Sequence, residues 1–182
     1  MLKIFLCLAA LVALAPPALP CSDPAFRKLD FWVGEWDVTT PEGKPAGKSR
    51  VEKGFRGCVI IEHWTGADGG EGMSLNNFDP ATGKWTQRWV DDGGTVAQLT
   101  GTFDGKNLVY RREFMRGGVQ VVSRMTFFDL GPEGVRQLVE RSTDQGKTWK
   151  TGFDGRYRRS SPLRLRNSEG VMPNAVRNAA VK

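Results

Sequence analysis

The sequence is poor in the side chains on which metal binding and nucleophilic catalysis most often depend. It contains one histidine, two tyrosines and three cysteines among 182 residues. These counts leave no ligand set for a structural zinc ion, and a Ser–His–Asp triad would have only His63 as its base. No serine stands in the G-x-S-x-G sequence of a nucleophile elbow. We therefore expect neither a bound metal nor a cofactor.

Long hydrophobic runs are missing after the first twenty residues, so the sequence predicts no stable membrane span. At the start of the chain, Lys3 precedes the apolar run Ile4–Ala15, whose length of about a dozen residues is typical of secretory signals. We interpret residues 1–20 as a signal peptide and the protein as exported, either periplasmic or secreted. The cleavage site stays open, and so does lipidation of Cys21, because a proline directly precedes that cysteine.

Removal of the signal would leave two cysteines, Cys21 and Cys58. An even pair in an oxidising compartment favours a disulfide bond. The bond would close a loop of about 38 residues, worth roughly 3–4 kcal/mol in the chain-entropy account. The alternative is two free thiols, with Cys58 acting as a small buried apolar residue.

The end of the chain, residues 160–182, differs in composition from the rest. It carries four basic residues against one acidic residue, is interrupted by two prolines and shows no hydrophobic period. We interpret it as a solvated, disordered basic tail, and residues 21–159 as one folded domain. No basic stripe with interleaved aromatics marks that domain, so we expect no nucleic-acid partner.

The domain itself has the rhythm of an antiparallel meander. Turn sequences rich in glycine and aspartate recur about every 12 to 15 residues, separated by runs rich in β-branched and aromatic residues. Within these runs apolar and polar residues alternate, and Trp85, Gln87 and Trp89 fall on one face. The pattern predicts an all-β fold of about ten strands, closed into an up-and-down barrel, with a short helix at Pro24–Phe31 after the cap residue Asp23.

Two short motifs fit this architecture. Ser142–Trp149 matches the S-x-D-x-G-x-x-W Asp-box of sialidases, but a single copy indicates a hairpin turn and not glycosidase activity. Gly34-Glu35-Trp36, directly after the predicted helix, matches the G-x-W sequence of lipocalins and other calycins. In those proteins the tryptophan closes the barrel base beneath an arginine of the last strand, a role we predict for Arg156 or Arg158.

Longer segments extend this likeness. Residues 29–38, 57–64, 78–91 and 135–157 together resemble a family of secreted bacterial calycin-like, or lipocalin-like, domains of unknown function. The resemblance covers about residues 21–159 and implies a lipocalin-like barrel with Cys21 paired to Cys58. It implies no particular substrate. In the resembled family position 63 usually carries asparagine, so His63 is a local variation.

Polar and aromatic residues on the predicted strands are the candidates for a ligand site inside the barrel. A few polar groups among aromatic walls are typical of a small-molecule pocket. The alternatives are a lumen filled by the tryptophan rings, an acid–base pair made of two glutamates, or haem held by His63, which more simply packs as an ordinary residue. The candidates are Glu62, Trp64, Trp85, Gln87, Trp89, Arg124, Gln137 and Glu140.

The sequence thus predicts an exported binding module for a small, partly apolar ligand. A second hypothesis is a hydrolase or isomerase that uses Glu62 or Glu140 at the barrel mouth. A third is a non-catalytic envelope protein with a filled barrel. A cavity inside the barrel would argue against the third hypothesis. The distance between the two carboxylates would distinguish the binding module from the enzyme.

Overall fold

The computed structural model describes residues 21–161. The predicted signal peptide, residues 1–20, lies outside the described residues. So does the predicted basic tail, apart from Ser160 and Ser161. No helix within residues 21–161 is long and apolar enough to cross a membrane.

Ten antiparallel strands form a closed barrel, as the sequence predicted. Each strand pairs with the next along the chain, and the first strand pairs with the last to close the sheet. This order is that of an up-and-down barrel, which leaves no free sheet edge. The strands are β1 (Gly34–Thr39), β2 (Pro45–Gly54), β3 (Val59–Gly66), β4 (Glu71–Asp79), β5 (Lys84–Asp91), β6 (Val96–Phe103), β7 (Leu108–Arg116), β8 (Val119–Asp129), β9 (Val135–Ser142) and β10 (Lys150–Arg159).

The predicted N-terminal helix consists of two short 3₁₀ turns, Pro24–Arg27 and Asp30–Trp32. The Asp23 side chain accepts a hydrogen bond from the backbone N–H of Ala25 at 2.7 Å, so it caps the first turn as expected. Two further 3₁₀ turns, Phe55–Gly57 and Gly131–Glu133, connect strands.

Tight hairpins connect the strands where the sequence has its turn signals. Gly117 and Gly118, between β7 and β8, have φ values of 56° and 78°. Positive φ at both central residues is the requirement of a type I′ turn, which glycine meets without steric cost. In the Asp-box, Ser142 Oγ accepts from the backbone N–H of Gly146 at 2.8 Å, and Asp144 accepts from that of Thr148 at 2.9 Å. The motif therefore orders the β9–β10 hairpin.

The helical turns close one end of the barrel. Leu29, Trp32 and Trp36 are buried there with Phe127 and Tyr157. The Trp32 and Phe127 ring centroids lie 4.6 Å apart, and the Trp36 indole N–H donates to the Trp32 carbonyl at 2.8 Å. Trp36 thus forms part of the barrel floor. The hairpins after β1, β3, β5, β7 and β9 lie at the other end.

The arginine over the floor tryptophan differs from the predicted one. The guanidinium of Arg159 lies 4.0 Å from the Trp36 ring and donates to the Val33 carbonyl at 2.7 Å. Arg156 and Arg158 point out of the barrel because they alternate with the inward residues Tyr157 and Arg159. In the β1–β10 register Arg159 stands opposite Trp36, which brings both side chains to the same face.

The two cysteines meet at this closed end. The sulfurs of Cys21 and Cys58 lie at disulfide-bonding distance, 2.11 Å, with the Cα atoms 5.2 Å apart. The pair joins the segment before the first helical turn to the turn that precedes β3. It therefore fastens the N-terminal segment to the barrel floor.

Candidate functional site

A cavity of about 620 Å³ occupies the inside of the barrel. Side chains from most of the strands line it, together with Ala67, Asp68 and Thr95 of two hairpins at the end opposite the helical turns. Among the sequence candidates, five line this cavity: Glu62, Trp64, Gln87, Trp89 and Gln137.

Two tryptophans line the cavity, and each packs closely against a glycine of the neighbouring strand. A Cβ at Gly47 would lie 2.6 Å from the Trp64 ring, and a Cβ at Gly72 would lie 2.3 Å from the Trp89 ring. Such approaches are possible only over glycine. The glycines therefore let the two rings pack closely against the barrel wall beside the cavity.

The third candidate tryptophan, Trp85, belongs to the core of the closed end. It is buried on the inward face of β5, with its ring 6.0 Å from that of Phe78, and it does not line the cavity. The alternation of β5 correctly grouped Trp85 with Gln87 and Trp89 on one face. It does not encode how far along the barrel axis each residue lies.

A buried carboxyl group forms the polar centre of one wall. Glu62 on β3 accepts hydrogen bonds from two serine hydroxyls, those of Ser49 on β2 at 3.0 Å and Ser74 on β4 at 2.9 Å. Ser74 stands directly opposite Glu62 in the strand register. Burial raises the pKa of Glu62 to about 7, and the two serine hydroxyls oppose that rise. At neutral pH this carboxyl group is therefore able both to donate and to accept a proton.

The hydrogen bonds continue from Glu62 along the same wall. Asn76 donates to the Ser74 hydroxyl at 2.9 Å, and its carbonyl oxygen accepts from Gln87 and from the Tyr110 hydroxyl, both at 3.1 Å. These groups are buried, so the bonds offset the cost of removing them from water. The network fixes the orientation of the Glu62 wall.

A second polar pair lies across the lumen. The Tyr157 hydroxyl donates to the Gln137 side-chain carbonyl at 2.8 Å, and the Gln137 amide contacts the Met125 sulfur at 3.0 Å. Burial raises the pKa of the Tyr157 hydroxyl well above its ordinary value, and the Glu62 charge raises it further. Tyr157 is therefore neutral and acts as a hydrogen-bond donor.

The remaining candidates, Arg124 and Glu140, lie outside the barrel. Arg124 Nε is 2.6 Å from a Glu140 carboxylate oxygen, and its guanidinium stacks 4.1 Å from the Trp149 ring. Their inward neighbours in sequence are Ser123 and Met125 on β8, and Val139 and Arg141 on β9. Strand alternation therefore places Arg124 and Glu140 on the outer face, and the structure does not bring Glu140 together with Glu62.

The sequence analysis did not identify a row of inward polar residues on the wall opposite Glu62. Arg112 on β7 pairs in register with Ser123 on β8, and Ser123 pairs with Arg141 on β9. All three line the cavity. The available signal was an arginine, Arg112, that shares a strand face with the apolar residues Leu108 and Tyr110.

His63 lies on the outer face of β3, where its Nε2 is 3.3 Å from a carboxylate oxygen of Glu52. Its side chain is 41% exposed and is not among the residues lining the cavity, so it has no access to a group inside the barrel. Within residues 21–161 no cluster of three or more histidine, cysteine, aspartate or glutamate side chains is placed to hold a metal ion.

Two comparisons with known proteins found no relative of this chain. No protein-family model matches the chain, and no curated protein matches it significantly. The fold is nevertheless compatible with that of the calycins, since it is a closed antiparallel barrel of ten strands with a helical turn before the first strand.

Proposed function

We propose that this protein is an exported calycin-like module that binds a small, partly apolar molecule inside its barrel. The observation that carries the proposal is the cavity of about 620 Å³, open at the end opposite the helical turns. Ligand pockets commonly have volumes of about 300–1,000 Å³. The barrel therefore has room for an ordinary small-molecule ligand.

The chemistry of the wall supports a ligand of mixed polarity. Trp64, Trp89 and Phe153 supply flat apolar surface, and the Trp64 and Phe153 rings meet edge to face with centroids 5.9 Å apart. Glu62 and Gln87 supply hydrogen-bonding groups fixed by the buried network. Apolar walls with a few oriented polar groups favour binding of one ligand in one orientation.

The sequence and the cysteine pair support export. The apolar run near the N-terminus has the length of a secretory signal, and paired cysteines are typical of oxidising compartments. We accordingly propose residues 1–20 as the signal, residues 21–159 as the binding domain and residues 160–182 as a solvated tail. The Cys21–Cys58 pair would hold the mature N-terminus against the barrel floor.

The geometry gives less support to the alternatives. Catalysis by paired glutamates needs both carboxylates at one substrate, whereas Glu62 faces the lumen and Glu140 faces outward in an ion pair with Arg124. A filled envelope barrel needs side chains across the lumen, whereas this barrel contains a cavity of about 620 Å³ that Trp64 and Trp89 line. Ligand binding is therefore the function that this arrangement favours.

Fluorescence titration with N-phenyl-1-naphthylamine, an uncharged probe that becomes bright in apolar surroundings, tests the proposal. Ala97 lines the cavity, and its neighbour Gln98 is exposed on the outer face of β6. We expect the wild type to bind the probe, Ala97→Trp to bind it at least about tenfold more weakly by occupying the cavity, and the matched control Gln98→Trp to bind it normally. A thermal melt of each variant verifies folding.

Two results would overturn the proposal. One is a wild-type protein, folded by circular dichroism, that does not change the fluorescence of the probe. The other is equal affinity of Ala97→Trp and Gln98→Trp, which would place the bound probe outside the barrel.

A further inference from the structure

We infer that the ligand of this cavity carries an anionic group, held between Arg112 and Arg141 over Ser123. The inference rests on the proposed ligand-binding function and names the chemical class of the ligand. That class is an apolar or aromatic anion, whose acidic group is a carboxylate, a sulfonate or a phosphate ester.

The positions of three inward residues favour an anion site. Arg112, Ser123 and Arg141 occupy facing register positions on β7, β8 and β9, and all three line the cavity. Adjacent strands are about 4.8 Å apart, so the two arginine Cα atoms lie about 10 Å apart with the serine between them. An arginine side chain spans more than half of that distance. The Arg141 guanidinium packs over Gly152 of β10, so it would have to turn towards β8 for both arginines to contact one small anion above Ser123.

The side chains of this row also lack ion-pair and hydrogen-bond partners in the described part of the chain. Within residues 21–161 neither Arg112 nor Arg141 forms an ion pair or a side-chain hydrogen bond, and the Ser123 hydroxyl forms no hydrogen bond. The Arg112 guanidinium stacks over the Phe114 ring, 4.2 Å from its centroid. Arg112 is half-buried, and a half-buried cation without a counter-ion is costly, whereas Arg141 is exposed where it lines the cavity.

Arginines on the outer face of the same strands show the contrast. Arg124 of β8 pairs with Glu140 at 2.6 Å, and Arg136 of β9 pairs with Asp154 at 2.7 Å. These two outward arginines thus have carboxylate partners, whereas the exposed Arg111 of β7 and the two inward arginines form no ion pair among residues 21–161. Burial and the positive charge of Arg141 both lower the pKa of Arg112. A bound anion would relieve that repulsion.

The rest of the cavity sets the direction of the ligand. In a ring of ten strands β3 and β8 stand five positions apart, so Glu62 and Ser123 lie on opposite walls. An acidic group at Ser123 therefore avoids the Glu62 carboxyl group. Met125 and Val139, the next inward residues on β8 and β9, offer apolar surface directly beside the arginine row. This arrangement matches a molecule with an acidic end and an apolar body.

Two fluorescent probes that differ by one acidic group test the inference. These are 8-anilinonaphthalene-1-sulfonate and its uncharged counterpart N-phenyl-1-naphthylamine, titrated against the full chain. The variants are Arg112→Gln and Arg141→Gln, and the control is Arg111→Gln. Arg111 is exposed on the outer face of β7, so its variant loses the same charge without changing the lumen.

The expected result is selective loss of the anionic probe. Each inward variant should weaken sulfonate binding about tenfold or more, the scale of one charge-assisted hydrogen bond, and change the affinity of the uncharged probe less than about twofold. Arg111→Gln should bind both probes as the wild type does. A parallel titration with decanoate and decyl phosphate as competitors identifies which acidic group the row prefers.

The inference and the proposed function fail in different ways. If both probes bind in the lumen but Arg112→Gln and Arg141→Gln weaken them equally or not at all, the anion site is wrong and the binding module stands. If Arg111→Gln weakens the sulfonate as much as the inward variants do, general surface charge explains the preference and the inference is again wrong. If neither probe binds the folded wild type, the proposed function itself is wrong.

Discussion

Replacing the buried glutamate of the lumen should make the protein more stable at alkaline pH. Glu62 is fully buried and has no cationic partner among residues 21–161, and burial raises its pKa from the ordinary 4.5 to about 7. Between these two pH values the folded chain holds a proton that the unfolded chain has released. The free energy of unfolding must therefore fall as pH rises through this window, and above pH 7 the folded protein bears the full cost of ionisation.

The size of the effect follows from the two pKa values. The difference between 4.5 and about 7 corresponds to about 3 kcal/mol, of which about 2 to 3 kcal/mol should develop between pH 5 and pH 8. Glu62→Gln keeps the shape of the side chain and its hydrogen-bonding capacity towards Ser49 and Ser74, but it has no charge to bury. The variant should therefore escape this loss.

Urea denaturation at a series of pH values measures the effect directly. The quantity of interest is the free energy of unfolding of Glu62→Gln minus that of the wild type, because the other titrating groups cancel in this difference. We expect it to increase by about 2 to 3 kcal/mol from pH 5 to pH 8. The control Glu71→Gln, at an exposed carboxylate, should show no such increase. A difference that stays constant across this range would show that ionisation of Glu62 does not destabilise the folded protein, and would refute the prediction.

Three further substitutions test the packing that keeps the lumen open and its floor closed. Gly72→Ala should cost about 1 to 3 kcal/mol in urea denaturation and change the near-ultraviolet circular dichroism, because its Cβ would lie 2.3 Å from the Trp89 ring. An unchanged spectrum would contradict the close packing of that ring on Gly72. Arg159→Ala should lower stability by about 1 kcal/mol through loss of the guanidinium over the floor tryptophan, whereas Arg158→Ala should have no effect; equal effects would contradict the assignment. Cys58→Ser should cost roughly 3–4 kcal/mol, measured in the same way, because it opens a loop closed across a sequence separation of 37; full stability without the bond would refute that estimate.

The architecture was readable from the sequence because its determinants are local. Glycine and aspartate turns at regular spacing limit each strand to one crossing of the barrel, and the number of such segments gives the number of strands. The short helical turn was marked by Asp23 before a proline. These signals act within a few residues and do not depend on the rest of the fold.

The alternation of residues along a strand does not show which of its two faces points into the barrel. On β8 both faces carry apolar residues, since Val122 and Phe128 point outward while Met125 and Phe127 point inward. The outer Phe128 is covered by the guanidinium of Arg136, 5.3 Å from its ring, so it needs no core position. Periodicity alone could not tell these faces apart, and Arg124 was consequently predicted for the lumen.

Register irregularities add to this difficulty. In the pairing of β10 with β9 the register shifts between Thr151 and Phe153, so residue numbers before and after the shift no longer share a simple parity. A shift of one position moves every later side chain to the other face. Such shifts depend on pairing partners far away in sequence. The choice of Arg156 or Arg158 over Arg159 has a different cause, because residues Phe153 to Arg159 alternate regularly and the register of β10 with β1 decides which arginine stands opposite Trp36.

The most direct test of a ligand-binding lumen is native mass spectrometry of the protein purified gently from the cells that produce it. We predict that the wild type carries an additional small mass, that this mass is released on mild activation as an anion, and that Ala97→Trp lacks it. A wild type of bare polypeptide mass, or the same added mass on Ala97→Trp, would show that the lumen does not hold a ligand.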